Sequence, residues 1–238
     1  LCGVHKEAHS RIVFTPPTDL LATRTADGSF TLASASLSEH YHSLYGALAE
    51  SRHVYLESGL LHLGKQKVDV LEVGLGTGLN ALLTWSEAIN KRLEVNYLAL
   101  EPFPLSPGSI AAVGHVTATG LSSMGTGYNA MMNARTGERI EPSKGFRFQC
   151  VQQGVQQLEA VQAFDLVYFD AFAPAVQPDM WTVGVFHRIY EAMRPGAMLV
   201  TYCAKGDVRR AMLEAGLLAQ RIPGPPGKYK MIRATRPA

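Results

Sequence analysis

Apolar and polar positions recur along this chain with two periods, one of two residues and one near 3.6. Around "RTADGSFTL" the spacing is two and the Asp27-Gly28 pair interrupts it, which predicts a β-hairpin. Residues 38–61 change to helical spacing, with Ser38 as the expected N-cap. Val68, Val70, Leu71 and Val73 in "VDVLEV" make a buried strand; three glycines follow, and Asn80 to Ile89 continue as a helix. "EVNYLALEP" predicts a second strand ending at Glu101, "FRFQCV" a third and "FDLVYFD" a fourth. "TVGVFHRIYEAMRPG" reads as a helix, "AMLVTYCA" as a fifth strand, and "LLAQRIP" with "KYKMIRATR" as a final strand pair. Strands alternating with helices imply an α/β fold with a doubly wound, mainly parallel sheet.

Residues 105–145 break this rhythm. They are rich in Gly, Ser, Thr and Ala, with weak helical spacing only in "SIAAVGHV" and "GYNAMMNA". A span of that length between two strands is either a helical insertion or a cover over a site. The expected organisation is a hairpin-and-helix extension, residues 1–62, packed on a core of residues 63–238 that carries the insertion 105–145, all in one structural unit.

Composition adds bounds rather than a function. With 238 residues and 47% hydrophobic side chains, the chain is long and apolar enough to bury one full α/β core. The net charge of +2 conceals an uneven distribution: residues 205–236 hold eight Lys and Arg against two acids. Such an end suits phosphate as readily as it suits plain solvation. Cys2, Cys150 and Cys203 are an odd number and far apart, so neither a disulfide framework nor a zinc site is expected. His40, His42 and His53 have no acid or cysteine set near them in sequence to complete a metal shell, and His40 and His42, on the expected helix, diverge. The first ten residues lack an apolar leader core, no apolar run reaches membrane-spanning length, and the absent initiator Met suggests a trimmed chain. A cytoplasmic protein without membrane or metal is the expectation.

The chemistry concentrates at two turns. "EVGLGTGLN" sets Gly74, Gly76 and Gly78 between a buried strand and a helix, where glycine allows a tight turn and close backbone approach to a ligand. The dinucleotide spacing needs glycine at position 79, which is Leu79 here. The G-x-G-x-G form after Glu72 is instead the S-adenosylmethionine pattern of class I methyltransferases. Glu101, 23 residues beyond Gly78, is placed to accept from both ribose hydroxyls. The second turn, "LVYFDAFAPAVQPDMW", ends a strand on Asp170 and is stiffened by Pro174 and Pro178. A carboxylate there can orient an amine, accept its proton and stabilise a developing cation. Phe172 and Trp181 offer flat faces, although Trp181 reads almost equally well as a core residue.

Together, "VDVLEVGLGTGLNALLTW", "YLALEPFPLS", "FDLVYFDAFAPAVQPDMWT", "TYCAKGDVRRAMLEAGL" and "GPPGKYKMIRAT" resemble the MnmC/MnmD-type methyltransferases of wobble-uridine tRNA modification. "TADGSFTL" and "EHYHSLYGALAESRHVY" match as well, so the resemblance runs from about residue 20 to residue 235. It implies a Rossmann-like class I fold and S-adenosyl-L-methionine as methyl donor. The implied acceptor is the amine of 5-aminomethyl-2-thiouridine at position 34 of a tRNA anticodon stem-loop, and the product 5-methylaminomethyl-2-thiouridine. Fused members add a flavin-dependent oxidase, for which this chain is too short, so a stand-alone form is expected. By position, Glu72, Gly74, Gly76, Gly78, Asn80, Glu101 and Asp170 would hold the donor, and Asp170 with Phe172 would receive the aminomethyl group. Where relatives carry Gly-Asp for the adenine this chain reads Gln153-Gly154, which leaves Gln152 and Gln153 as candidates for that contact. Tyr41, Ser43 and Trp181 are candidates for substrate contact, and Arg209, Arg210, Lys228 and Lys230 for tRNA phosphates. Two alternatives stay open: an aminopropyltransferase of the spermidine synthase kind, and a non-catalytic RNA-binding module on the same fold.

Overall fold

A computed structural model of the chain describes residues 14–238; Cys2 and the segment read for a leader lie outside the described residues. At the centre stands β8 (Phe164–Phe169), whose six residues are all buried, as expected for a strand covered on both faces. Parallel to it on one side runs β4 (Lys67–Val73), followed by β5 (Glu94–Leu100) and β7 (Phe146–Val151). On the other side lies β9 (Met193–Thr201), also parallel. The predicted final pair, β10 (Leu218–Pro223) and β11 (Lys230–Thr235), adds on antiparallel beyond β9. The full order is β10-β11-β9-β8-β4-β5-β7-β6, where β6 (Arg139–Ser143) pairs antiparallel with β7 and is a strand that the sequence pattern did not announce.

Two apolar layers sandwich this sheet. On one face α2 (Leu79–Lys91) packs with the helices of the extension and the insertion; on the other lie α6 (Val183–Ala192) and α7 (Gly206–Glu214). Every β-to-α crossing ends its strand at the same edge, so the residues after β4, β5, β7, β8 and β9 meet along one rim. In open α/β sheets that carboxyl rim is where ligands bind.

The extension departs from its sequence reading. The hairpin forms as expected, β1 (Leu20–Arg24) with β2 (Phe30–Ser34), but a short β3 (Glu39–His40) joins it and the helix begins only at Ala47. Ser38, the expected N-cap, instead sits in a loop at φ +52°. The helix, α1 (Ala47–Ser51), runs on as a wider π-type turn over Arg52–Leu61, and its own N-cap, Gly46, has no side chain to cap it. The cap comes from 22 residues upstream: Asp27 Oδ2 accepts from the Ala49 amide at 2.9 Å. Asp27 Oδ1 meanwhile accepts from the Ser29 amide and the Thr25 hydroxyl, so one carboxylate closes the hairpin and starts the helix. His40 and His42 accordingly lie in β3 and the loop after it rather than on a helix.

The insertion is helical and does not cover the rim. It holds α3 (Pro107–Val113), α4 (His115–Ala118), α5 (Gly125–Met132) and β6. Its side chains reach the glycine turn from behind: Tyr128 Oη donates to the Thr77 carbonyl at 2.6 Å, and His115 Nε2 and Thr77 Oγ1 are 2.7 Å apart. Trp85 Nε1 of α2 donates to Ser143 Oγ at 2.8 Å. Among the described residues no helix is long and apolar enough to cross a membrane, and no group of three His, Cys, Asp or Glu side chains is arranged to hold a metal ion.

Candidate active site

A cavity of about 600 Å³ opens at the carboxyl rim. Its floor is the glycine turn with Asp170, one wall is Glu101 to Phe103 with Gln153 to Gln156, and its roof comes from the extension, Phe14 and residues 39–44. No residue of 105–145 lines it.

Gly74, Gly76 and Gly78 all have positive φ, at +90°, +49° and +71°. A Cβ on Gly74 would stand 2.6 Å from the Asp170 carbonyl oxygen, and one on Gly78 would collide with Met132 Sδ. The turn therefore requires glycine for backbone shape and for close approach together. Beside it, Glu101 Oε2 accepts from the Gly76 amide at 3.0 Å and Oε1 from the Phe103 amide at 3.0 Å. Burial raises its pKa, and these backbone donors pull it back. Each oxygen keeps a further lone pair for a ligand donor.

Asp170 lies across the floor. Asn80 binds it to the acid of β4: one Nδ2 donates to Asp170 Oδ2 at 2.8 Å and to Glu72 Oε1 at 2.9 Å. Glu72 is fully buried, and burial above all raises its pKa well above the usual carboxyl value. Asp170 is pushed up to about 7, chiefly by burial, with the nearby Glu50 pushing the same way. The Asn80 bond, the adjacent Tyr55 hydroxyl and Lys228 oppose the rise. A carboxyl with that value switches between proton acceptor and proton donor at working pH.

Aromatic rings frame the opening. Phe172 stands edge-on to Tyr41 with centroids 4.9 Å apart, and Phe14 lies 5.8 Å from Phe172 and 5.7 Å from Phe103. Tyr41, Ser43, Gln153 and Lys228 also line the cavity. The structure thus brings together Gly74, Gly76, Glu101, Gln153, Asp170, Phe172, Tyr41, Ser43 and Lys228.

Other candidates lie elsewhere. Asn80 and Glu72 stand behind Asp170 as its support. Gln152 donates its backbone amide to Thr136 Oγ1 and its side chain towards the Pro102 carbonyl, leaving Gln153 at the wall. Trp181 is buried, and its Nε1 donates to the Phe172 carbonyl at 2.8 Å. It fixes the turn rather than offering a face to a ligand, because it packs edge-on to Phe169 with its polar atom already bonded. Arg209 Nε is used on the Ala219 carbonyl, and Arg210 pairs with Asp207; neither lines the cavity. Lys228, expected to face phosphate, points instead into the cavity and pairs with Glu50. Lys230 lies over the ring of Tyr229, which is 89% exposed immediately before β11.

Glu50, Tyr55 and Tyr202 were not among the sequence candidates. A signal for Glu50 was present: it shares the buried stripe Ala47, Glu50, Ser51, Val54, where a carboxylate needs a reason to be. Tyr202 follows β9 at the same rim and donates to the Ala171 carbonyl at 2.8 Å.

Residues 143–237 match the model of a family described as S-adenosyl-L-methionine-dependent methyltransferase. The fold of the whole chain also matches a solved structure from Aquifex aeolicus described as MNMC2, with a TM-score of 0.71, 22% identity, and coverage of 94% of this chain and 73% of that one. Spermidine synthase from Thermotoga maritima shares the fold more distantly, with a TM-score of 0.52, 10% identity, and coverage of 92% of this chain and 72% of that one. The bifunctional protein MnmC of tRNA 5-methylaminomethyl-2-thiouridine biosynthesis is similar in sequence. The form from Ralstonia nicotianae is 31% identical over 229 residues, 92% of this chain and 35% of that protein. The form from Cupriavidus necator is 32% identical over 210 residues, 82% of this chain and 31% of that protein. The chain therefore spans about a third of the length of these curated relatives.

The cavity fits the donor that the family name specifies. A Cβ at Gly76 would stand 3.2 Å from the Tyr41 ring at the cavity, so glycine keeps that space open; Glu101 retains acceptor capacity for a pair of vicinal hydroxyls, and Gln153 stands at the wall with an amide for a base edge. Asp170 lies across the same cavity, where a carboxylate favours a cationic centre.

Proposed function

We propose that this chain transfers a methyl group from S-adenosyl-L-methionine to the primary amine of 5-aminomethyl-2-thiouridine at position 34 of tRNA in the cytoplasm. The product is 5-methylaminomethyl-2-thiouridine. The observation that carries the reading is Asp170. It is a carboxyl tuned to about 7, at the rim of the glycine-turn cavity, with the ring of Phe172 two residues on.

S-adenosyl-L-methionine supplies an electrophilic methyl carbon whose bonding pair leaves with sulfur. Everything else falls to side chains of the chain. The acceptor nitrogen needs a free lone pair aimed at that carbon, and an aminomethyl group in water is largely protonated at neutral pH. Ionised Asp170 orients the group by hydrogen bonding and takes up the proton that the nitrogen must shed. Asn80 holds the carboxyl in place by bridging it to buried Glu72. Phe172, Tyr41 and Phe103 supply faces for a pyrimidine ring, and the roof from the extension excludes bulk water. Outside the mouth, exposed Tyr229 with Lys230 suits the backbone and bases of a stem-loop.

Unmodified tRNA bearing the aminomethyl group, incubated with labelled donor and digested to nucleosides, tests the reading. Label on the aminomethyl nitrogen of position 34 supports it. Release of a thioadenosine with a polyamine acceptor, or tight tRNA binding without turnover, would sink it in favour of the aminopropyl or the non-catalytic alternative. The sequence neighbour of Asp170 already weighs against the diamine acceptor: it is Ala171 rather than a second acid, and the other carboxylate at that end, Glu50, is already paired with Lys228.

A further inference from the structure

Three charged side chains meet at one end of the cavity, and only one of them has so far been given work. Glu50 comes from α1, Lys228 from the turn between β10 and β11, and Asp170 from the end of β8. Glu50 is buried, with Oε1 accepting from the Ser43 amide at 3.0 Å and Oε2 paired with Lys228 Nζ. The same ammonium lies 4.0 Å from the centroid of Tyr202, over its face. A lysine seated on a carboxylate and an aromatic face at once, inside a cavity, is held rather than merely solvated.

We propose that Lys228 is a positioning residue for methyl transfer: clamped by Glu50 against Tyr202, it cancels the charge of Glu50 and leaves Asp170 to steer the acceptor amine. The inference rests on the function proposed above. Its physical basis is local charge balance. Two carboxylates at this end without a cation would repel each other, and one of them would keep its proton. A protonated Asp170 offers an ammonium only a neutral acceptor, without charge assistance, and cannot take its proton. With Lys228 in place the pair is neutral overall, and Asp170 ionises near neutrality.

The groups that face Asp170 come from every element around it. They are Tyr55 from the π-type turn, Asn80 from α2 with Glu72 behind it on β4, Glu50 from α1, Tyr202 after β9, and Lys228. Glu50 raises the Asp170 value and Lys228 lowers it. Removing each partner therefore moves Asp170 in opposite directions, which a purely structural role does not do.

The test follows the Asp170 carboxyl carbon by NMR in ligand-free protein labelled at aspartate, with Asp170→Asn giving the assignment. Lys228→Met is expected to move the titration midpoint up by about one pH unit, and Glu50→Gln to move it down by a similar amount. The double variant returns close to the parent, and Lys228→Arg keeps the parental value. Lys228→Gln repeats the first measurement if the methionine variant folds poorly. In methylation assays the acidic limb of kcat follows the same shifts, with KM for the donor little changed. Midpoints that stay put, or move the same way in both single variants, overturn the proposal. Opposite shifts in a protein that methylates no tRNA would keep the charge balance and reject only the function.

Discussion

The two sides of the glycine turn are built on different principles. Behind it, toward the insertion, Trp85, Tyr128, Met131 and Met132 pack an apolar layer whose polar atoms are few and mostly bonded, as in Tyr128 to Thr77. In front, toward the cavity, Asp170, Glu50 and Lys228 form a charged cluster backed by Tyr55 and Glu72, and burial raises the pKa of Asp170, Glu72 and Tyr55. The rear side gives rigidity, because close packing resists small displacements. The front side costs stability and provides reactivity, the usual relation between a fold and its site. A glycine turn pressed from behind can hold its backbone fixed while the charges before it change state.

The sharpest break of that contrast is Asp170→Ala. Its kcat is expected to fall about 10²- to 10⁴-fold, while donor affinity by calorimetry stays near the parent. Parental turnover would take Asp170 out of the chemistry. Asp170→Asn probes the stability side of the same residue. A carboxyl pushed up to about 7 in the folded chain, from the 3.8 of a free aspartate side chain, keeps its proton longer when folded. The folded state therefore loses stability as pH rises through that window. Against the parent, the asparagine variant should gain roughly 1 to 4 kcal/mol at pH 8 in denaturant titrations, and the gain should vanish toward pH 4. Glu101→Ala removes a charged acceptor for ligand hydroxyls, and donor Kd should weaken about 10- to 100-fold with little change in the Asp170 titration. The smallest effect is expected behind the turn. Tyr128→Phe loses one neutral hydrogen bond, about 1 kcal/mol or a few degrees in Tm, and leaves the pH profile of kcat unmoved. A shifted profile in that variant would show that the two sides are not independent.

Which of these parts could be read from sequence depends on how far each interaction reaches along the chain. The strands around "VDVLEV" and "FDLVYFD" were legible because full burial demands continuous apolar residues, and the glycine turn because backbone shape allows nothing else. The start of α1 was not. Its cap is Asp27, on a different element, and local pattern pointed instead to Ser38, which has the right residue type in the wrong place. The strand β6 escaped because it lies at the sheet edge with a half-exposed, irregular register and so lacks alternation. At the site, Asp170 and Glu101 drew notice by their place at the ends of strands, and Phe172 as a ring in the turn after Asp170. Trp181 stayed open between core and site because a buried indole and a ligand platform look alike until its N–H is seen bonded to Phe172. Lys228 was assigned to phosphate from its basic surroundings, whereas its partner Glu50 lies 178 residues away in the chain.

The mouth of the cavity carries one more implication. Phe14, Tyr41, Phe103 and Phe172 come from four separate stretches and touch one another as tilted or edge-on rings. A flat heterocycle sliding in beside Phe172 gives these rings a new π-neighbour in place of an old one. Admission then resembles adding a card to a loosely held hand more than prying apart a sealed seam, and it asks for no hinge in the backbone.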